Sequence, residues 1–171
     1  MTSKISFNQI KQFWQDPAGI KNKGQDPQFS TIFPFFLKAY QAVSEIMKQE
    51  EALISELPRQ GGELVKKYVK SISVSMYPGV PSQQNPNPQP MRVLTHLFEP
   101  VEKYDEFDEA MKKAQTEHSQ KYAEFCNLEH EIEVDYCPVD KFPRPDLFTL
   151  EQQKAYIGFC IEPPQANMAK V

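Results

Sequence analysis

Residues 129–136 read Glu129-His130-Glu131-Ile132-Glu133-Val134-Asp135-Tyr136, acid and non-acid in strict alternation. Successive side chains of a strand point to opposite faces, so this stretch is expected to be a strand with Glu129, Glu131, Glu133 and Asp135 on one face. Its other face carries His130, Ile132, Val134 and Tyr136, a largely apolar set suited to a core. Neighbouring acids on such a face lie about 6.8 Å apart at the backbone, close enough for two flexible Glu side chains to meet on a hard cation such as Mg²⁺ or Ca²⁺. A calcium site would add loop carbonyls and turn glycines, and neither adjoins this strand. The acidic row therefore reads as a solvated, edge-protecting face or, functionally, as a docking surface for a basic partner. No metal ligand is assigned to it.

Two further stretches show the same period of two. In residues 71–77 Ile72, Val74 and Met76 alternate with serines, the pattern of a half-buried strand. Residues 91–98 place Val93, Thr95 and Leu97 on one side and Arg92, Leu94, His96 and Phe98 on the other. With apolar groups on both sides, this strand is expected inside a sheet and covered twice. Between the two runs lies a Pro- and amide-rich connection at about 78–90, read as an extended, mobile loop across which they pair antiparallel.

Helical spacing fills most of the remainder. Ser6 and Gln9 have capping-box spacing, with Ile5 and Ile10 as the staple around that cap, and Ile10, Phe13 and Trp14 share one face. Asp16-Pro17 ends this helix and residues 17–28 read as a loop. A longer helix should start near Ser30 or Thr31 and stop at Leu57, before Pro58. Phe36, Tyr40, Val43, Met47, Ile54 and Leu57 recur on it at threes and fours, with Glu50 as the one polar break. This 35–57 seam packs on the chain's own sheet or pairs two subunits as a homodimer. After a turn at 59–62 and a helical turn around Leu64, a third helix is expected over 101–127, with Tyr104, Phe107, Met111, Ala114, His118 and Phe125 on one face. A Pro-rich crossing at 138–145, a helical turn at 149–154 and a last strand at 156–161 complete the chain. The tail at about 165–171 reads as frayed.

This order predicts an α+β fold: one domain over residues 1–171, with an antiparallel sheet of about four strands and helices packed mainly on one face. Fifteen prolines against six glycines imply connections braced more by Pro than bent by Gly. The net charge of −4 and scattered basic residues argue against nucleic acid as a partner, because such binding rests on Lys and Arg neutralising phosphates. The first residues lack the apolar core of a signal peptide, and no run is long and apolar enough for a membrane span. A cytoplasmic protein that does not engage the membrane is therefore expected. Cys126, Cys137 and Cys160 have neither disulfide-framework nor zinc spacing and read as reduced thiols.

No catalytic signature is found: no His-Glu-x-x-His, no Gly-x-Ser-x-Gly and no glycine-rich phosphate cradle. Neither a catalytic residue nor a cofactor is assigned. The functional reading is a non-enzymatic protein–protein interaction module of the chaperone, neutralising or assembly-factor kind, binding a protein partner through Glu129, Glu131, Glu133 and Asp135. The alternative is a small enzyme or ligand-binding domain with a helix–sheet cavity lined by His96, His118, His130 and Tyr136.

Overall fold

The computed structural model describes residues 2–24, 26–82, 84–138 and 148–163. Among them the elements run β1 (Thr2–Ser6), α1 (Phe7–Trp14), α2 (Ile20–Lys23), α3 (Phe33–Tyr68), β2 (Val69–Tyr77), β3 (Met91–Phe98), α4 (Lys103–Asn127), β4 (Glu129–Glu133) and α5 (Leu150–Tyr156). The class is α+β, as expected, but the single sheet of four strands is not formed. Two separate two-stranded antiparallel ribbons replace it, β1–β4 and β2–β3. Contacts group the chain into two compact units, Met1–Ala52 with Tyr122–Val171, and Leu53–Lys121, so α3 and α4 each contribute to both.

The first unit holds the core. Ser6 caps α1 and forms the capping box with Gln9, while Ile5 and Ile10 are both buried, so the staple forms as the sequence implies. Residues 2–6, for which no element was expected, form the strand that pairs with β4. The register sets Ile5 opposite His130 and Lys4 opposite Glu131. Ile5 and Ile132 then face inward together with Val134, and the alternation across 129–134 is realised. Regular pairing stops at Glu133, short of the expected Tyr136.

Aromatic rings fill the space beneath. Phe13 stacks on Phe159 at 4.2 Å between ring centres, and Phe36 and Tyr156 meet Phe13 at 5.3 and 5.9 Å. Trp14 lies flat on Tyr40 at 4.4 Å, at the margin of the core. The loop expected at 17–28 contains the short α2, whose start is held by Asp16. Asp16 sits at φ 46°, and its carboxylate accepts from the backbone N–H groups of Ile20 and Lys21 at 2.9 and 2.8 Å. At the other end of α2 a methyl on Gly24 would stand 2.3 Å from the Phe33 ring, an approach that only glycine permits.

The last strand expected at 156–161 is absent. Thr149 and Gln152 form a capping box that carries α5 through Tyr156, and a tight turn with Gly158 at φ 85° follows, closed by a single bridge between Ile157 and Ile161. The crossing at 138–145 lies, beyond Pro138, outside the described residues, as does the tail at 165–171.

The second unit is a pair of antiparallel helix segments continued by a ribbon. Here α3 does not stop at Leu57. It runs through Pro58, Gly61 and Gly62 to Tyr68. Pro58 cannot donate to the carbonyl of Ile54, but both residues are exposed, so water can serve that carbonyl. Pairing with α4 carries the helix across its breakers. His118 Nε2 donates to the carbonyl of Leu53 at 3.0 Å, Lys121 pairs with Glu56 at 3.0 Å, and Tyr68 meets Phe107 at 6.3 Å. Of the stripe expected on α4, Ala114 is buried and Phe107, Met111 and His118 are half-buried in this unit, whereas Tyr104 is exposed and Phe125 packs in the first unit against Phe7 and His130.

Beyond α3 the chain forms the antiparallel β2–β3 ribbon, with Ile72 opposite His96, Val74 opposite Leu94 and Met76 opposite Arg92. The pairing across the proline-rich connection is as expected. Burial is not: β3 was to be covered on both faces and β2 on one, yet Ile72, Val74, Met76, Leu94 and Leu97 are all exposed. Regular pairing ends at Tyr77 opposite Met91. A methyl on Gly79 would stand 2.6 Å from Pro88, and Ser82 and Asn85 exchange backbone hydrogen bonds at 3.0 and 3.2 Å.

Candidate functional site

The residues singled out in the sequence fall into separate surroundings. Glu129, Glu131 and Glu133 share the outer face of the β1–β4 ribbon with Ser6, Lys4 and Thr2. Lys4 stands 3.7 Å from Glu131, and Lys38 of α3 reaches Asp135 at 2.7 Å. The hydrogen bond from Lys38 holds the Asp135 carboxyl below the usual aspartate range and raises the Lys38 ammonium in turn. Basic side chains of the same chain thus partly neutralise the acidic row. Replacing Glu131 and Glu133 together by Gln should leave the melting temperature unchanged or slightly raised, because exposed positions of this kind contribute within about 0.5 kcal/mol. A clear fall in a thermal melt would show that the row is structural.

The histidines do not share one lining. His96, on β3, packs edge-on against Phe98 and Phe107 at 6.5 Å. His118 is engaged with Leu53 inside the helix pair. His130 lies in the first unit between Phe125 at 5.2 Å and Phe7 at 5.9 Å, and its Nε2 is buried without a hydrogen-bond partner. Tyr136 packs against the margin of the same core. Each imidazole sits among aromatic or backbone groups of its own region. Among the described residues no group of three or more His, Cys, Asp or Glu is placed to hold a metal ion, and no helix is long and apolar enough to cross a membrane.

The sequence reading did not single out two buried polar clusters. Glu50, the polar break in the α3 stripe, is 5% exposed and receives Lys11 Nζ and Tyr122 Oη, each at 2.8 Å. Both donors hold their protons beyond the ordinary range, chiefly through that hydrogen bond. Tyr156, fully buried, donates to Asp16 at 2.6 Å and accepts from the Ala18 backbone N–H at 2.9 Å. Burial first, and then the Asp16 bond, raise the Tyr156 hydroxyl. These networks tie helices and loops together.

The surface with most unexplained apolar area is the β2–β3 ribbon. Ile72, Val74, Met76, Tyr77, Met91, Leu94 and Leu97 are each 49–61% exposed, and they make up half of the large apolar side chains exposed among the described residues. By the register, Ile72, Val74, Met76 and Leu94 share one face, while Tyr77, Met91 and Leu97 lie on the other. At the base of the ribbon Phe98 meets Phe107 and Tyr104 at 5.3 and 5.4 Å. Among the described residues of Leu53–Lys121, Ala114 alone is buried. This unit therefore has almost no interior of its own.

The sequence signal for this surface is the Ser-x-Ser alternation at 71–77. It specifies a strand with one apolar face but not what covers that face. Compared with protein-family models, curated proteins and solved structures, the chain matches none.

Proposed function

We propose that this protein is a non-enzymatic interaction module that docks a protein partner on the β2–β3 ribbon. The observation that carries this reading is the four apolar side chains Ile72, Val74, Met76 and Leu94 left in water on one face of the ribbon, in a unit where Ala114 alone is buried among the described residues. Contiguous exposed apolar surface on a folded chain marks interaction sites. The acidic row on β4 is the weaker candidate, since Lys4 and Lys38 already answer part of its charge.

The test is affinity purification from native lysate with the wild-type chain, an Ile72→Ser/Leu94→Ser variant and the Glu131→Gln/Glu133→Gln variant. A stoichiometric partner is expected with the wild type and with the Gln variant, and should be lost from the Ser variant. Each buried aliphatic side chain is worth about 1.5–3 kcal/mol, so the two together weaken binding on the order of a hundredfold or more. Equal recovery by the Ser variant, or a wild type that recovers neither another protein nor a second copy of itself, would reject the ribbon as a docking surface.

A further inference from the structure

We infer that the occupant of the ribbon is a second copy of this chain, joined through β2 in an antiparallel pair about a two-fold axis at Val74. The inference rests on the docking reading above and adds the partner and its register. In the sheet order β2 pairs only with β3, so its other edge has no strand beside it among the described residues. Free edges are usually blunted by charge, proline or a bulge. On β4 that role falls to Glu129, Glu131 and Glu133, whereas residues 71–77 of β2 carry neither a charge nor a proline. A register irregularity between Val69 and Ser71 bounds the open edge at one end, and Pro78 bounds it at the other.

The sequence of this edge is complementary to itself. Antiparallel pairing about Val74 sets Ile72 opposite Met76, Ser73 opposite Ser75 and Ser71 opposite Tyr77 of the second copy. Lys70, already paired with Glu99 of its own chain, falls opposite Pro78, so no like charges meet. A parallel pairing in register would instead oppose Lys70 to Lys70. The β3 edge is less suitable, because Arg92 lies in it and an antiparallel pair centred on Leu94 sets Arg92 against His96. Residues 69–98 hold no carboxylate, so the acids that give the chain its net charge of −4 do not face one another across such a pair. The product is a four-stranded sheet with Ile72, Val74, Met76 and Leu94 of both copies on one continuous face.

Sedimentation velocity over a concentration series tests this, using the wild type, Val74→Lys, Val74→Glu and an equimolar mixture of the two variants. Val74 is half exposed, so both variants should fold, and far-UV circular dichroism checks that they do. The wild type is expected to dimerise. Each variant alone should associate on the order of a hundredfold more weakly, because like charges then face each other at the axis. The mixture should regain the dimer, with native mass spectrometry showing one chain of each kind. A monomeric wild type, dimerisation unchanged in Val74→Lys, or a mixture that stays monomeric would each overturn the inference. A wild type that stays monomeric yet captures a different partner, lost on Ile72→Ser/Leu94→Ser, would overturn this inference and leave the docking function standing.

Discussion

Tyr156→Ala is expected to cost about 3–5 kcal/mol of folding stability, the range for deleting a fully buried aromatic side chain. The ring packs against Phe13, Phe36 and Phe148, and the hydroxyl joins Asp16 to the Ala18 backbone. Tyr156→Phe separates the two contributions. It keeps the ring but leaves the N–H of buried Ala18 without its acceptor and removes one of the three donors to the Asp16 carboxylate. An unsatisfied buried group of that kind costs about 1–3 kcal/mol. Urea denaturation of the three proteins measures both steps. A Phe variant within about 0.5 kcal/mol of the wild type would show that the hydroxyl network does not hold the loop.

The second large effect is expected at Glu50. Lys11→Met leaves a buried carboxylate with Tyr122 in place of two strong donors, and breaking a buried pair in this way costs about 2–4 kcal/mol. That range is reduced because the Lys11 side chain is 42% exposed and already shares its charge with water. Replacing all three by apolar groups, Lys11→Met, Glu50→Leu and Tyr122→Phe, should recover most of the loss, since no charge is then left buried. If the triple variant proves no more stable than Lys11→Met, the cluster contributes more than compensation for its own burial.

The same clusters set the response to pH. Lys11, Tyr122 and Tyr156 each bind their protons more tightly when folded than their ordinary values imply. A raised value means that the stabilisation is complete below the unfolded pKa and is lost as pH climbs through the folded one. Stability should therefore decline above about pH 10, the ordinary range of Tyr and Lys. The decline should be shallower in Tyr156→Phe, and urea midpoints at neutral and alkaline pH provide the check.

The sequence was most legible where the determinants are local. The Ser6–Gln9 capping box and the alternation at 129–136 each depend on side chains within a few residues of one another, and both appear where the spacing puts them. Pro58 misled because its helix-breaking effect is local, while the pairing of α3 with α4 that overrides it is not. Residues 156–161 misled in the opposite sense: a short apolar run fits a strand, but the Thr149–Gln152 cap upstream commits the chain to a helix first. The strand at 2–6 left no signal of its own, and it exists because β4 pairs with it.

Glu50 stood out only as an interruption in an apolar stripe, and Lys11 and Tyr122, far from it in sequence, explain it. Alternation identifies Ile72, Val74, Met76, Leu94 and Leu97 as strand residues and points them toward a core, yet all five are exposed.

By itself, then, the sequence determined the α+β class, the caps, the two faces of β4 and the antiparallel pairing of β2 with β3, because period and capping act over a few residues. Only the tertiary structure decided that the four strands form two ribbons rather than one sheet. Strand neighbours are chosen by contacts between residues remote in sequence, and alternation says which face seeks cover without saying what supplies it. On β4 the core of the same unit covers that face. On β2 no part of the described chain does, and the same alternation that built a core strand in one unit leaves Ile72, Val74 and Met76 exposed in the other.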